Sequence, residues 1–376
     1  MPRAAHLRLS DLRGISRLAI EATLGVTRLV ETLHHNIGRA PGVLGTPTEE
    51  RTRGLTGLVY RSICGVTHLV GAGVDAVLAP LERLMEGPAG TDAGLSSAER
   101  DAVLAALNGV LGDHLVWSGN PLAIGMRLRT EGAPTGKILL LAHGLCLNDR
   151  QWRRNGHDHG AALAADGGLT PVYLRYNSGL PLAINGRELA GHLEDLLRDW
   201  PVPVEELVVL AHSMGGLVVR HACHIAEAEG HRWRRHLRKI VFLGTPHHGS
   251  PLEKGGHWVD LLLGASPYTA ALARIGKIRS AGITDLRHGS DLALPAGVAV
   301  YAIAASRAQK DEIGLKDTLL GDGLVPLRSA LGEHEDPGRS LEIPASRKWA
   351  GYGLGHFDLL DNREVYERIR EWVIGL

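Results

Sequence analysis

Ser213 is the residue whose type and setting best suit it to chemistry. The apolar run Leu207-Val208-Val209-Leu210-Ala211 ends abruptly in His212-Ser213-Met214-Gly215-Gly216 and then passes into the helix-compatible Leu217-Val218-Val219-Arg220. A strand that turns straight into a helix strains its turn residue and lifts that side chain above the sheet edge. Packing at such a turn demands tiny residues two before and two after the serine, and Ala211 and Gly215 supply them, with alanine at a place where glycine is commoner. A hydroxyl is a weak nucleophile at neutral pH, so it needs a base to take its proton and an acid to orient that base.

In the α/β-hydrolases that this elbow resembles, the acid and then the base follow the serine along the chain. Asp322, in Gly321-Asp322-Gly323-Leu324-Val325-Pro326, stands in a tight glycine-flanked turn that would aim its carboxylate inward; Asp285 and Asp291 are the weaker competitors. The base is read as His356, in Gly353-Leu354-Gly355-His356-Phe357-Asp358, just before the last helical pattern. His334 also follows Asp322, but Glu333, Glu335 and Asp336 mark its surroundings as a solvated loop. An oxyanion needs two rigid N–H donors. Met214, directly after the serine, supplies one, and Leu145 in His143-Gly144-Leu145-Cys146 supplies the other by position after an apolar strand. Cys146 has no strand-to-helix elbow to present it as a nucleophile. The pairs His157/His159 and His247-His248 have no third ligand at metal spacing, so they read as structural and no metal is expected.

The elements that position these residues begin near residue 113. Strands are expected at His114–Trp117, Met126–Arg129, Lys137–Ala142, Pro171–Tyr176, Glu206–Ala211, Lys239–Leu243 and Val298–Ala304, with helices at Arg187–Trp200, Met214–Glu229 and Asn362–Val373. This alternation predicts an α/β architecture, a mostly parallel sheet with helices on both faces. The run from about 251 to 295 is too long for a simple connection and reads as a lid; Trp258, Leu261, Leu262 and Leu263 would cover an apolar pocket or dock on the N-terminal helices, with Trp258 and Leu262 touching substrate.

Residues 1–112 read as a separate helical region, and 113–376 as the catalytic domain. Ile15, Leu18, Ala22, Leu29 and Leu33 recur at helical spacing, a second helix runs through Leu55 to Leu84, and Ser96 or Ser97 would cap a third. The window Ser62 to Leu81 approaches the length and apolarity of a membrane span, against which stand His68, Asp75, Pro80 and two glycines. Packing on the catalytic domain or a second subunit is the favoured reading of this region, with peripheral attachment to a lipid surface as the alternative.

Composition narrows the partners. In 376 residues, Lys+Arg and Asp+Glu balance at 41 each, so no global field favours nucleic acid. Three cysteines without metal or disulfide spacing, and a start without a signal-peptide core, suggest a reducing cytoplasmic compartment, with membrane association left open.

Together, His143-Gly144, Ala211-His212-Ser213-Met214-Gly215-Gly216, Gly244-Thr245-Pro246-His247-His248-Gly249, Asp322-Gly323-Leu324-Val325-Pro326 and Gly355-His356 resemble the lipase and esterase branch of the α/β-hydrolase superfamily, most nearly bacterial lipases and the inositol-deacylase type of hydrolase domain. The resemblance implies hydrolysis of a small-molecule or lipid ester through an acyl-enzyme, without a cofactor. It does not reach the first 112 residues. The same residues would serve an acyltransferase, and a non-enzymatic scaffold recruiting a membrane or partner is the remaining alternative.

Overall fold

The computed structural model describes residues 8–38, 52, 54–86, 98–249, 280–309 and 321–375. The chain divides into two compact units, Met1–Arg100 with Ser118–Leu122, and Asp101–Trp117 with Ala123–Leu376.

The larger unit is built on a seven-stranded sheet. Its strands are β1 (Arg127–Thr130), β2 (Lys137–Ala142), β3 (Thr170–Arg175), β4 (Glu206–His212), β5 (Leu237–Leu243), β6 (Ala299–Ser306) and β7 (Lys348–Tyr352), in the order β1-β3-β2-β4-β5-β6-β7. Only β1 runs antiparallel, against β3; every other pairing is parallel. The apolar runs of β2, β4 and β5 are continuous rather than alternating because both faces of a central parallel sheet are covered. Leu139, Leu141, Val208, Leu210, Val241 and Leu243 pack on one face with Leu163 and with Trp372 and Val373 of the last helix. The alternate residues Ile138, Leu140, Val209 and Ile240 are equally buried and point to the opposite face. This mostly parallel sheet, flanked by helices and preceded by a helical region, is the α/β-hydrolase architecture.

The helices are α1 (Leu9–Gly38), α2 (Gly54–Glu86), α3 (Ala98–Trp117), α4 (His159–Gly167), α5 (Leu182–Arg198), α6 (Met214–Glu229), α7 (Ala281–His288) and, after a single turn at Leu327–Ala330, α8 (Arg363–Ile374). Local chemistry sets several ends: the Asp158 carboxylate accepts from Gly160 and Ala161 N–H at the start of α4, and Asn362 does the same for Glu364 and Val365 at α8.

The structure corrects the expected strand at His114–Trp117, which is the last turn of α3. Val110, Leu111 and Leu115 are buried on several sides of that helix, so its burial replaces the one-face periodicity that sequence reading relies on. Residues Asp101–Trp117 group with the sheet-bearing unit. Strand β7 was not expected; it is short, carries Gly351, and pairs with β6 from Ala302/Lys348 to Ser306/Tyr352. Within the expected lid, α7 is capped by Ser280 and tied to α3: Ser280 Oγ donates to Gly109 O at 2.6 Å, and Ala281 N to Asp113 Oδ2 at 2.8 Å. Trp258, Leu261, Leu262 and Leu263 lie outside the described residues.

In the smaller unit α1 and α2 run antiparallel. Arg13 and Arg17 near the start of α1 hold Asp75 near the end of α2, and Thr52, just before α2, donates to Glu31. Within α2, Thr56–Pro80 is long and apolar enough to cross a membrane, with mean hydropathy 1.5 and none of its most apolar window buried.

Candidate active site

Ser213 joins β4 to α6 with φ 54° and ψ −126°, a conformation that L-residues rarely occupy. It is held there from both sides: its N–H donates to Leu243 O at 2.8 Å, and its own carbonyl accepts from Gly216 N at 3.0 Å. The small residues around it answer to measured space. A Cβ on Gly215 would stand 2.5 Å from Ala142 O, and one on Gly216 2.2 Å from Thr245 Oγ1. The expectation of glycine two places after the serine therefore has a steric cause in the end of β2.

The loop after β2 lies directly against this turn. A Cβ on Gly144 would be 2.9 Å from Ser213 Cβ and 3.4 Å from its Oγ. The loop is anchored on both flanks. Tyr176 Oη donates to His143 O at 2.8 Å, its ring stacked on His143, and Cys146 N donates to Ser178 Oγ at 3.0 Å. Leu145 sits between these anchors and is buried. Met214 opens α6, where first-turn N–H groups have no acceptor within their own helix.

Asp322 and His356 meet although 34 residues separate them. Asp322 Oδ2 is 2.6 Å from His356 Nδ1, and both side chains are buried. The other carboxylate oxygen accepts from Leu324 N at 2.9 Å and Val325 N at 2.8 Å, which fixes its orientation. Gly321 and Gly323, at φ 51° and 94°, make that turn possible. Because a carboxylate only accepts, Nδ1 of His356 donates in this contact. The imidazole lies beside the serine turn: a Cβ on Gly244, next to the Leu243 carbonyl that holds Ser213, would be 3.2 Å from His356 Cε1.

His212 completes the arrangement and was not singled out from sequence. Its Nε2–H donates to the His356 carbonyl at 3.2 Å, and the two rings lie with centroids 4.6 Å apart. Burial, reinforced by the neighbouring His356, holds the His212 imidazole well below the usual histidine range, so it stays neutral. The sequence signal was its place directly before the serine, but its partner lies 144 residues away.

The competing residues are engaged elsewhere. His334 accepts the Asp336 N–H at 3.0 Å and stacks edge-on to His248. Asp285 accepts from Leu182 N at the start of α5, and Asp291 pairs with Arg339. Burial pushes the Cys146 thiol up to about 12, so it is protonated at neutral pH. His157 and His159 bond to each other at 2.8 Å, and His247 Nδ1 faces buried Arg220 at 3.3 Å. Among the described residues no group of three or more His, Cys, Asp or Glu is arranged to hold a metal ion.

Comparison with known proteins finds one partial family match and several solved structures at low identity. A family described as a domain of unknown function (DUF7379) matches residues 181–288, which includes the serine turn but not Asp322 or His356. No curated protein matches the chain. Among solved structures, the mature form of Bacillus licheniformis lipase BlEst2 is similar at 15% identity and a TM-score of 0.44, over 66% of this chain and 98% of that one. An α/β-hydrolase superfamily protein from Enterococcus faecalis is similar at 15% identity and 0.44, over 67% and 96%. A carboxylesterase structure from Nitrososphaera gargenis is similar at 12% identity and 0.42, over 66% and 93%.

Proposed function

We propose that this chain hydrolyses carboxylic esters through an acyl-enzyme formed on Ser213, with His356 as the base and Asp322 as its orienting acid. The observation that carries the reading is the buried 2.6 Å contact of Asp322 Oδ2 with His356 Nδ1, set beside a serine held at φ 54°. Ser213 Oγ attacks the ester carbonyl carbon while its proton passes to His356 Nε2. The resulting oxyanion is held by the N–H groups of Leu145 and Met214. Collapse of the tetrahedral intermediate breaks the C–O bond, and His356 returns the proton to the departing alkoxide, leaving alcohol and acyl-enzyme. Water then attacks the acyl carbon with His356 again as base, and a second collapse frees the carboxylic acid and restores the serine. Asp322 stays ionised throughout and stabilises the imidazolium that forms at each stage.

Kinship with bacterial lipases and the inositol-deacylase type rests on the motif set, and an apolar acyl group rests on the composition around Trp258 and Leu262. The test is labelling of the full chain with a fluorophosphonate. Wild type should be labelled and Ser213→Ala should not, with p-nitrophenyl ester turnover falling about 10⁶-fold in the variant. Equal labelling of the two proteins would remove Ser213 from the chemistry.

A further inference from the structure

Helices α1 and α2 carry short sequences alike at five of six positions, Gly25-Val26-Thr27-Arg28-Leu29-Val30 and Gly65-Val66-Thr67-His68-Leu69-Val70. The two copies are disposed alike. Thr27 and Thr67 donate to carbonyls one turn back, Thr23 O at 2.7 Å and Ile63 O at 2.8 Å. Val26 and Leu29 are 61% and 60% exposed, and Val66 and Leu69 are 62% and 76% exposed. A Cβ on Gly25 or Gly65 would meet nothing within 4 Å, so neither glycine serves close packing between the helices.

The charges are arranged the opposite way. Asp11 and Glu31 are buried, and Asp75 is turned to Arg13 and Arg17 across the seam between the helices. Apart from Asp75, no Asp, Glu, Lys or Arg occurs on α2 from Ser62 to Ala79. A helix pair made for water buries its aliphatic stripe and turns its charges outward. From Ser62 to Ala79 α2 inverts both choices, and a paired charge facing a seam with aliphatic side chains outside is how helices are built for hydrocarbon.

Extent and direction of exposure decide the occupant. Among the described side chains of α2, a stripe through Gly57, Tyr60, Cys64, Thr67, Gly71 and Val74 is shielded, while Leu58, Ile63, Val66, Leu69, Val70 and Val77 face outward in several directions. A second protein surface would cover one side of such a helix; acyl chains cover all of them. The stretch between Arg61 and Asp75 is about 20 Å long at 1.5 Å per residue. Exposed Arg28 and Arg61 stand at one end of this belt, where their stems can carry the charge toward headgroups, and the Arg13–Arg17–Asp75 cluster closes the other.

We propose that the α1–α2 pair is a duplicated helical hairpin that embeds in the acyl-chain layer of a membrane and holds this chain there. Attachment is hydrophobic and independent of lipid charge, because the outward faces between these ends are mainly aliphatic, with exposed His68 and half-buried Glu21 the titratable groups among them.

The experiment is flotation of the full-length protein with vesicles of pure phosphatidylcholine, at low and at high salt. Wild type should float with the vesicles and remain bound in high salt. The pair Leu29→Asp and Leu69→Asp together should lower the bound fraction by at least about tenfold while helicity measured by circular dichroism is kept. Ser213→Ala should float like wild type, so failure of the hydrolase reading leaves this one standing. Three results would overturn the proposal: wild type left in the lipid-free fraction as a monomer, binding released by salt, or a discrete dimer in water that the aspartates dissociate and vesicles do not recruit. The last would assign the surface to a second copy of the chain.

Discussion

The hydrogen bond from His212 Nε2 to the His356 carbonyl ties the loop bearing the proposed base to the residue that precedes the proposed nucleophile. Two groups that must stay in register through four proton transfers are thus connected by one short path. His212→Leu keeps the apolar packing but removes that bond, whose net worth is about 1 kcal/mol. The expected result is a loss in kcat of about tenfold with little change in KM for small esters, measured as a chain-length series of p-nitrophenyl esters. Asp322→Asn is expected to act more severely. It leaves the shape intact but favours the wrong imidazole tautomer, so kcat should fall about 10⁴-fold while fluorophosphonate labelling slows in proportion. The tight turns that carry Ser213, Asp322 and His356 were legible in the sequence because each is set among the glycines that such a turn requires. His212 was not legible in its role, since nothing local to it indicates which distant carbonyl it will meet.

Helix α3 is the element whose importance the sequence concealed. Its glycines mark close approaches rather than weak points. A Cβ on Gly109 would stand 2.3 Å from Cys146 Sγ, and one on Gly112 would stand 1.9 Å from Asn177 Oδ1. Asn177 Nδ2 in turn donates to Gly112 O at 3.0 Å, and Asn108 Oδ1 accepts from Ile124 N at 3.0 Å. The helix therefore supports the 143–146 loop and, through Ser280 and Asp113, the start of α7. Gly109→Ala is predicted to press on Cys146 and displace the neighbouring Leu145 N–H from the oxyanion. Overpacking of this kind costs about 1–3 kcal/mol in stability, and kcat should drop at least about tenfold, since one misplaced oxyanion donor costs up to about 10²–10³. Adding Cys146→Ala, which removes the sulfur, should recover part of both losses in calorimetry and ester turnover. An unchanged kcat in Gly109→Ala would mean that α3 does not set the loop's position. The strands were easier to anticipate than this helix. The apolar runs of β2, β4 and β5 can only be central strands, whereas α3 is buried on several sides and shows no single apolar face, and β7 is too short and glycine-bearing to stand out.

At the scale of the whole molecule the buried imidazoles make stability depend on pH in a definite direction. Burial lowers His143 and His159 to about 4, and holds His212 and His247 well below the ordinary value. An unfolded chain protonates histidine below about 6.5, while these folded imidazoles remain neutral. The unfolded state then binds more protons, so stability is full above about pH 6.5 and is lost as pH falls toward the folded values. For His143 and His159 the loss is on the order of 3 kcal/mol each by the time pH reaches their folded range, a large share of the roughly 5–15 kcal/mol that holds a domain together. Thermal unfolding should thus be nearly independent of pH between 8 and 7, in this reading of about 6.5 for the unfolded group, and its midpoint should fall steeply below pH about 6. His159→Gln offers the sharpest check. A glutamine can still donate to the Leu359 carbonyl that His159 Nε2 meets at 3.0 Å, but it cannot take up a proton. Calorimetry should then show one fewer proton absorbed on unfolding in mildly acidic buffer and a shallower dependence of the midpoint on pH. If wild type and variant lose stability in parallel, the acid sensitivity resides in other groups and His159 is protonated in the folded protein.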